Sequence, residues 1–214
     1  MTFDVVSINK VDKSQVWLLD AAFKVWLEVY SERVTSSGSR LDHDRFLASE
    51  KLAIIHAESE IKAFSLMNTY NLTWEKQIER WYFSYAPMSV QASLIESKPT
   101  ILSVEWLTAN PAVRGRFTRF QPNEVLLSLM FRYMKDSGYA ACMGYSRTDI
   151  QADKSAQRCG AKPFAVTDRY GDECMVMMAL AKDDLTHTDP RTEKHVKSIY
   201  DDYLTRTYPM KEAV

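Results

Sequence analysis

A single acidic residue, Glu105, interrupts an otherwise apolar run of the chain, SVEWLT. A charge inside a strand of this kind needs a partner or a function, because burying an unpaired carboxylate is costly. A carboxylate that is partly desolvated beside Trp106 is suited to take a proton from an amine as a general base. Glu105 is therefore the first candidate catalytic residue, and a strand carboxylate that faces solvent or pairs with an arginine is the structural alternative.

A short basic segment follows Glu105 in the chain. Residues 111–122, PAVRGRFTRFQP, contain Arg114, Arg116 and Arg119 and no acidic residue. A helix predicted to begin at Asn123 adds the positive end of its dipole and its unpaired N–H groups. The segment therefore predicts a binding site for phosphate groups, with a solvated basic loop as the alternative.

Other catalytic classes find little support in the sequence. The histidines, His43, His56, His187 and His195, have no HxxxH or HxH spacing, which argues against a metal site. No GxSxG segment is present to carry a nucleophilic serine. The three cysteines form no CxxC pair, and Cys142 lies in an apolar run that is typical of a core strand.

Composition and charge favour an ordinary globular protein. The 214 residues are 46% hydrophobic and 26% charged, and 27 Lys and Arg against 28 Asp and Glu give a formal net charge of −1. Such a balance predicts no general attraction to nucleic acid or to an anionic membrane. We find no signal peptide pattern and no uncharged apolar run of membrane-spanning length, so we expect a cytoplasmic protein. Without repeats or linkers, we predict one domain over residues 1–182 and a polar tail or docking helix over 183–214.

The first half of the chain predicts two helices and three strands. Apolar residues at helical spacing predict a long helix from Ser14 to Val34, with Ser14 as its cap, and LDHDRFLASE predicts a short second helix. Two β-rich runs, Lys51 to His56 and Ile61 to Leu72, predict an antiparallel hairpin, and TILSVEWLT predicts a third strand. The aromatic-rich segment between them predicts a loop and a short helix over the core.

The second half predicts a regular order of elements. A helix is expected from Asn123 to Ser137, with Asn123 as its cap and Gly138 just beyond its last turn. A strand in YAACMGY, a short helix ending at Gly160 and two strands in PFAVTDR and ECMVMMAL follow, and a polar helix is expected after Asp189. Counted from the strand of Glu105, the order is β-α-β-α-β-β.

The segment from Val104 to Phe164 resembles the acyl-coenzyme A binding core of the GNAT superfamily of N-acyltransferases. The resemblance is carried by Asn110, Pro111, Arg114 and Gly115 before a helix, by Gly138 after it, and by Gly160 with Ala161 where the family usually has Gly-Phe. It implies a GNAT-like acyltransferase fold of the α/β (α+β) class, with a central, mostly antiparallel mixed sheet flanked by helices. It also implies an N-acyltransferase that moves an acetyl or longer acyl group from a coenzyme A thioester to the amine of a small molecule.

The phosphate turn departs from the family pattern. The usual motif is Arg or Gln, two residues, Gly, one residue, and Gly or Ala; counted from Arg114, this chain has Phe117 and Arg119 at the two small positions. A large side chain keeps backbone N–H groups further from a phosphate than glycine does. Three alternatives remain open: arginine side chains hold the pyrophosphate, the donor is an acyl carrier protein, or the chain is a catalytically silent GNAT-like binding module.

A looser similarity favours the carrier-protein alternative. The GNAT-like N-acyl amino acid synthases and the autoinducer synthases often have LDxD-like acidic residues after the first helix, and Asp42 and Asp44 stand there in this chain. The acidic surface of an acyl carrier protein would meet the arginines of the basic segment.

The resemblance also implies roles for individual residues. Glu105 is the expected base, and the main-chain amides around Leu107 and Thr108 are expected to polarise the thioester carbonyl. The family's usual general acid, a tyrosine, falls at Ala156 here, so Tyr145, Ser146 and Tyr170 are the candidate replacements. The donor site is expected to contain Leu107, Thr108, Arg114, Gly115, Arg116, Phe117, Arg119 and Asn123. The aromatic residues Trp74, Trp81, Tyr82 and Tyr85 are expected to line the acceptor or acyl-chain side, with plain core packing as the alternative.

The expected ligands and partners follow from these roles. The donor is acetyl-coenzyme A or another acyl-coenzyme A, the acceptor is a small-molecule amine, and no metal is expected. An acyl carrier protein and a second copy of the chain are the protein partners that this interpretation leaves open, and no nucleic acid is expected.

Overall fold

The computed structural model describes residues 1–36, 41–113 and 120–208 of the chain. The described strands are β1 Thr2–Ser7, β2 Lys51–Ala57, β3 Glu60–Met67, β4 Thr69–Asn71, β5 Thr100–Ala109, β6 Ala141–Arg147, β7 Lys162–Arg169 and β8 Asp172–Leu180. The described α-helices are α1 Val16–Ser36, α2 Asp44–Leu47, α3 Met88–Ser97, α4 Pro122–Asp136, α5 Ala152–Arg158 and α6 Pro190–Thr207. Two short 3-10 turns, Glu75–Glu79 and Trp81–Tyr85, precede α3.

One sheet runs through the whole molecule. Its strand order is β1-β2-β3-β5-β6-β8-β7, and the short β4 pairs with the start of β5 beside the end of β3. Every described pairing is antiparallel except that of β5 with β6. Two parallel neighbours need a crossover, and α4 provides it. The predicted class, a mostly antiparallel mixed sheet flanked by helices, is confirmed.

Helices cover both faces of this sheet. On one face α4 buries Val125, Leu126, Leu129 and Met130 against the strands, and α5 and α6 pack around it. On the other face α1 and α2 cover β1 to β3, burying Trp26 in particular. The 3-10 turns and α3 cover β5, β6 and β8 on that same face. The apolar stripe of each of these helices thus packs against apolar side chains on the facing side of the sheet.

The structure corrects three local sequence predictions. Asp12, rather than Ser14, caps the start of the first helical segment, because its carboxylate accepts the Ser14 backbone N–H at 2.8 Å. The second long helix begins one residue early, at Pro122, so Asn123 lies inside its first turn. The strand predicted up to Leu72 is broken at Asn68, whose backbone N–H and C=O both bond to Ser103.

The C-terminal helix α6 docks on the body of the protein. Its residues Val196, Ile199, Tyr200 and Tyr203 are buried in the same core as α4, and Tyr203 packs edge-on against Phe3 of β1 with ring centroids 5.1 Å apart. Within the described residues, no helix is both long and apolar enough to cross a membrane.

We predict that Tyr203→Ala destabilises the protein by about 3 kcal/mol, because it removes a buried ring from the α6 interface and leaves a cavity. Urea unfolding followed by circular dichroism measures the change. Tyr208→Ala is the matched control, since Tyr208 is 68% exposed and its loss should cost less than about 0.5 kcal/mol. Equal losses in the two variants would contradict the docked position of α6.

Candidate functional site

Strands β5 and β6 pair for only four residues and then part. The parallel ladder runs from Ile101 and Ala141 to Val104 and Gly144, yet β5 continues to Ala109 and β6 to Arg147. The last pair is also the tightest, because a Cβ on Gly144 would lie 3.3 Å from the Cβ of Val104. Glycine at this position lets the two backbones meet just before they separate.

A cavity of about 500 Å³ opens where the strands part. Asn123 and Leu127 of α4 and Ala156 of α5 line it on one face of the sheet, and Trp106 and Tyr170 line it on the other. Its size is in the range of small-molecule sites. A ligand in this gap would therefore meet the first turn of α4 and the aromatic face of the sheet together.

A bulge in β5 shapes the cavity wall beside the split. Phe64 pairs with Thr108 whereas Leu66 pairs with Glu105, so β5 has one residue more than β3 between these pairs. Trp106 takes up the extra length with a φ of +55°, a conformation that is rare for a bulky side chain and frequent at functional sites. The bulge lets Glu105 and Trp106 follow one another on the same face.

Leu107 and Thr108, the residues expected to polarise the thioester, line the cavity directly after the bulge. The Thr108 hydroxyl donates to the Trp106 carbonyl at 2.7 Å and accepts from the Tyr30 hydroxyl at 2.8 Å. Helix α1 thereby holds this part of β5 in place. The role of these main-chain amides stays a prediction.

Glu105 is buried in a polar nest on the aromatic face of the sheet. Its Oε1 accepts from the Ser103 hydroxyl at 2.7 Å, from Asn68 Nδ2 at 2.9 Å and from the Tyr70 hydroxyl at 3.5 Å. Only 4% of the residue is exposed, and no cation pairs with its carboxylate among the described residues. One oxygen of the carboxylate is thus held by neutral donors.

Two of the candidate general acids lie on β6 beside the cavity. Tyr145 and Ser146 both line it, and the Tyr145 hydroxyl donates to the Tyr82 carbonyl at 2.8 Å. Burial raises the pKa of Tyr145, and Glu105 raises it further while Arg169 opposes the rise. Tyr145 therefore stays protonated at neutral pH, as a proton donor must.

The predicted acceptor-side aromatics separate into three environments. Trp74 is 63% exposed and Tyr82 is fully buried, stacked on Tyr70 at 5.3 Å, and neither lines the cavity. Trp81 and Tyr85 pack edge-on against one another at 5.6 Å, next to residues that do line it. Trp81 and Tyr85 are not in the cavity wall themselves, but both contact Arg169, which is. The expected acceptor-side role of the four residues stays a prediction.

Sequence reasoning missed Arg169, at the end of β7. Its guanidinium carbon lies 5.0 to 5.7 Å from the centroids of five aromatic rings, those of Trp81, Tyr85, Trp106, Tyr145 and Tyr170. We call this group the aromatic box. In the sequence Arg169 is one arginine beside a predicted turn, TDRYGD, and no pattern indicates that its side chain faces a cavity. The turn itself did predict where β7 ends.

Asn123 and Glu124 occupy the first turn of α4, at the other end of the cavity. Asn123 lines the cavity, and its Oδ1 is buried without a hydrogen-bond partner in the described residues. The Glu124 carboxylate has a partner at each oxygen. Oε2 contacts His187 Nε2 at 3.0 Å, and Oε1 accepts from Arg158 Nη2 at 2.5 Å. Its charge is thereby balanced at the helix end where a phosphate would approach.

The donor-site residues of the basic segment fall in a part of the chain that the structure does not describe. Arg114, Gly115, Arg116, Phe117 and Arg119 lie outside the described residues, so their donor roles stay sequence predictions. Among residues 1–36, 41–113 and 120–208, no group of three or more His, Cys, Asp and Glu side chains could hold a metal ion.

The whole fold is that of the GNAT acyltransferases. The polyamine N-acetyltransferase of Drosophila melanogaster, an enzyme that catalyses the formation of N-acetylagmatine, has a TM-score of 0.58 at 13% identity, over 83% of this chain and 99% of its own. FeeM, an N-acyl amino acid synthase from uncultured soil microbes, has a TM-score of 0.56 at 11% identity, over 85% and 95%. The AHL synthase LasI has a TM-score of 0.59 at 13% identity, over 86% and 91%.

The sequence itself matches no protein-family model and none of the curated proteins. The similarity is therefore one of fold, and it confirms the fold that the resemblance implied.

We predict that Glu124→Gln destabilises the protein by about 2 kcal/mol at pH 7. Burial alone would raise the pKa of Glu124, but the hydrogen bonds from Arg158 and His187 together lower it below its usual value. Such a group stabilises the fold above its unfolded pKa, about 4.3, and the stabilisation is lost as pH falls through the folded pKa.

Urea unfolding of both proteins at pH 7, 5, 4 and 3.5 measures this difference, which should shrink at the acid end. Glu28→Gln, on the exposed side of α1, is the control and should show almost no difference at any pH. A penalty for Glu124→Gln that does not change with pH would show that the charge of Glu124 contributes nothing.

Proposed function

We propose that this protein is an N-acyltransferase that moves an acyl group from a thioester donor to the amine of a small molecule. The observation that carries the proposal is the parting of β5 and β6 after Val104 and Gly144, with a cavity of about 500 Å³ in the gap. A gap of this kind admits a thioester arm from the α4 side and an amine from the opposite side. The GNAT fold supports the same reaction class.

In the proposed reaction the neutral amine attacks the thioester carbonyl carbon. The C–N bond forms, the C–S bond breaks and the thiolate leaves. Glu105 takes the proton that the ammonium group loses, through a water molecule, since its carboxylate is buried beside the cavity rather than in its wall. The main-chain amides around Leu107 and Thr108 stabilise the oxyanion, and Tyr145 or Ser146 gives a proton to the thiolate. The second proton that the nitrogen loses as the amide forms restores that hydroxyl.

For the donor we propose an acyl-coenzyme A, such as acetyl-coenzyme A, with its phosphates near the first turn of α4. That turn offers the free backbone N–H groups of a helix start and the positive end of the helix dipole, and Arg114, Arg116 and Arg119 supply positive charge in the sequence just before it. An acyl carrier protein is the second candidate donor. The same basic segment, residues 111–122, also favours an acyl carrier protein, because the surface of such a protein is acidic.

Calorimetric titration separates these donors. We expect acetyl-coenzyme A or a long-chain acyl-coenzyme A to bind with a dissociation constant in the micromolar range, typical of enzyme substrates. Binding of an acylated carrier protein alone would establish the second donor. The absence of heat with all three ligands would rule out the acyltransferase proposal.

We predict that Glu105→Gln lowers kcat by about 100-fold while KM changes little, because general base catalysis is worth about that factor. Release of free thiol from the donor, followed over pH 6.5 to 8, measures the rate. Glu96→Gln is the matched control, since Glu96 is exposed on α3. Thermal unfolding confirms that both variants are folded, and full activity of Glu105→Gln at pH 7 would remove Glu105 as the base.

A further inference from the structure

Within the part of the chain that the structure describes, three charged side chains line the cavity: Arg147, Arg169 and Asp172. Arg147 contacts Asp172 at 3.4 Å and also bonds to Asp149. Arg169 differs from it, because no carboxylate among the described residues lies within ion-pair distance of its guanidinium. Its Nε is buried with no hydrogen-bond partner there. The cavity therefore contains a positive charge that the described protein does not neutralise.

The aromatic box holds this charge in place. Five ring centroids lie within 5.7 Å of the Arg169 guanidinium carbon. Cation–π contacts of this kind are each worth about 0.5–2 kcal/mol, and they offset part of the cost of taking a guanidinium out of water. Rings supply no hydrogen-bond acceptor in the guanidinium plane, so the N–H groups of Arg169 still lack the acceptors that they need.

The box is built with two unusual backbone conformations. Trp106 has a φ of +55° in the β5 bulge and Tyr170 a φ of +57° in the β7–β8 turn, and their rings stack at 6.1 Å. Residues with bulky side chains rarely adopt this region unless the surroundings impose it. Arg45 adds a further brace, because its Nη1 donates to the Tyr170 hydroxyl at 2.8 Å. The position of Arg169 is thus fixed from several elements.

The charge of Arg169 is matched by an opposite charge across the same face of the sheet. Glu105 directly precedes Trp106 in β5, and the Trp106 ring centroid lies 5.7 Å from the guanidinium carbon of Arg169 at the end of β7. The carboxylate therefore belongs to the residue next to one wall of the aromatic box. A ligand with one carboxylate and one ammonium group can place its carboxylate at Arg169 and its ammonium group toward Glu105. A simple amine would place its cation beside an arginine and leave the guanidinium unpaired.

We propose that Arg169 is the anchor for a carboxylate of the acceptor, so that the amine acylated by this protein belongs to an amino acid. The inference rests on the proposed function and names its acceptor class. Arg169 binds the carboxylate through its fork of N–H groups. The ammonium group then lies toward Glu105 and the strand gap.

Matched acceptor pairs test the inference. Tyrosine and tyramine, arginine and agmatine, and leucine and isopentylamine differ only by the carboxylate. With acetyl-coenzyme A, a long-chain acyl-coenzyme A and an acylated carrier protein as parallel donors, we expect the amino acid of each pair to have at least about a 100-fold higher kcat/KM. Equal rates within the pairs, or a preference for the amines, would overturn the inference and indicate a site for simple cations.

Variants of Arg169 test the residue itself. Arg169→Gln should raise KM for the amino acid about 30-fold or more, since the charge contact with the carboxylate is lost. Arg169→Lys should restore part of the preference. Arg191→Gln on α6 is the matched control, because the Arg191 side chain is 78% exposed. An unchanged preference in a folded Arg169→Gln protein would overturn the anchor role.

Binding without chemistry separates this inference from the proposed function. Quenching of Trp81 and Trp106 fluorescence reports ligand entry into the box, and the probes are 3-phenylpropionate, a carboxylate without an amine, and phenethylamine, an amine without a carboxylate. We expect binding of 3-phenylpropionate that Arg169→Gln weakens at least tenfold. If no donor supports acyl transfer but this binding is seen, the proposed function fails and the anchor stands. If acyl transfer occurs without Arg169-dependent carboxylate binding, only the anchor fails.

Discussion

The short parallel pairing between β5 and β6 is the constraint on which the site depends. A parallel ladder that ends after four residue pairs leaves backbone groups on both strands facing a gap, and buried backbone groups need partners. Only the groups that face the gap are left open, because on its other side β5 stays paired with β3 as far as Ala63 and Ala109. β6 does the same with β8 up to Arg147 and Cys174. The gap is held open because each strand has a full antiparallel partner behind it.

The gap between β5 and β6 opens to both faces of the sheet, and the side chains that line it differ on the two faces. On the α4 side the walls are helices with an apolar stripe, a first turn that carries Asn123, and the balanced charge of Glu124. On the other side the walls are rings, with Arg169 among them and Glu105 buried beside the cavity. A reaction that joins two different molecules needs such an asymmetry, because each must enter without occupying the place of the other.

Glu105 and Arg169, on the aromatic face of the sheet, differ in how many hydrogen-bond partners the protein gives them. Glu105 has three neutral donors, whereas Arg169 has ring faces and no described carboxylate. A carboxylate oxygen that accepts three hydrogen bonds is stable without a ligand, whereas a guanidinium with a buried, unpartnered Nε–H is not fully satisfied until an anion arrives. This difference explains why the two residues suit different tasks in one pocket.

Local patterns in the sequence determined much of this protein. Apolar periodicity and Gly138 located α4, and the run around Glu105 located β5, because each of these signals acts within a few residues. The order of the elements and the Arg-Gly pair carried the resemblance from which the GNAT fold was predicted. Candidates such as Glu105, Tyr145 and Thr108 could be named for the same reason. Only the tertiary structure decided which aromatic residues face the cavity.

That structure separated Trp81 from the buried Tyr82, gave Glu105 its partner Asn68 from the break between β3 and β4, and placed Arg169 inside a box drawn from four segments of the chain. The bond between Asn68 and Glu105 joins residues 37 positions apart, and the contact between Trp81 and Arg169 joins residues more than 80 positions apart. A one-residue bulge at Trp106 reverses which side chain faces which side of the sheet. No local pattern encodes contacts of that range, since they exist only once the strands have paired.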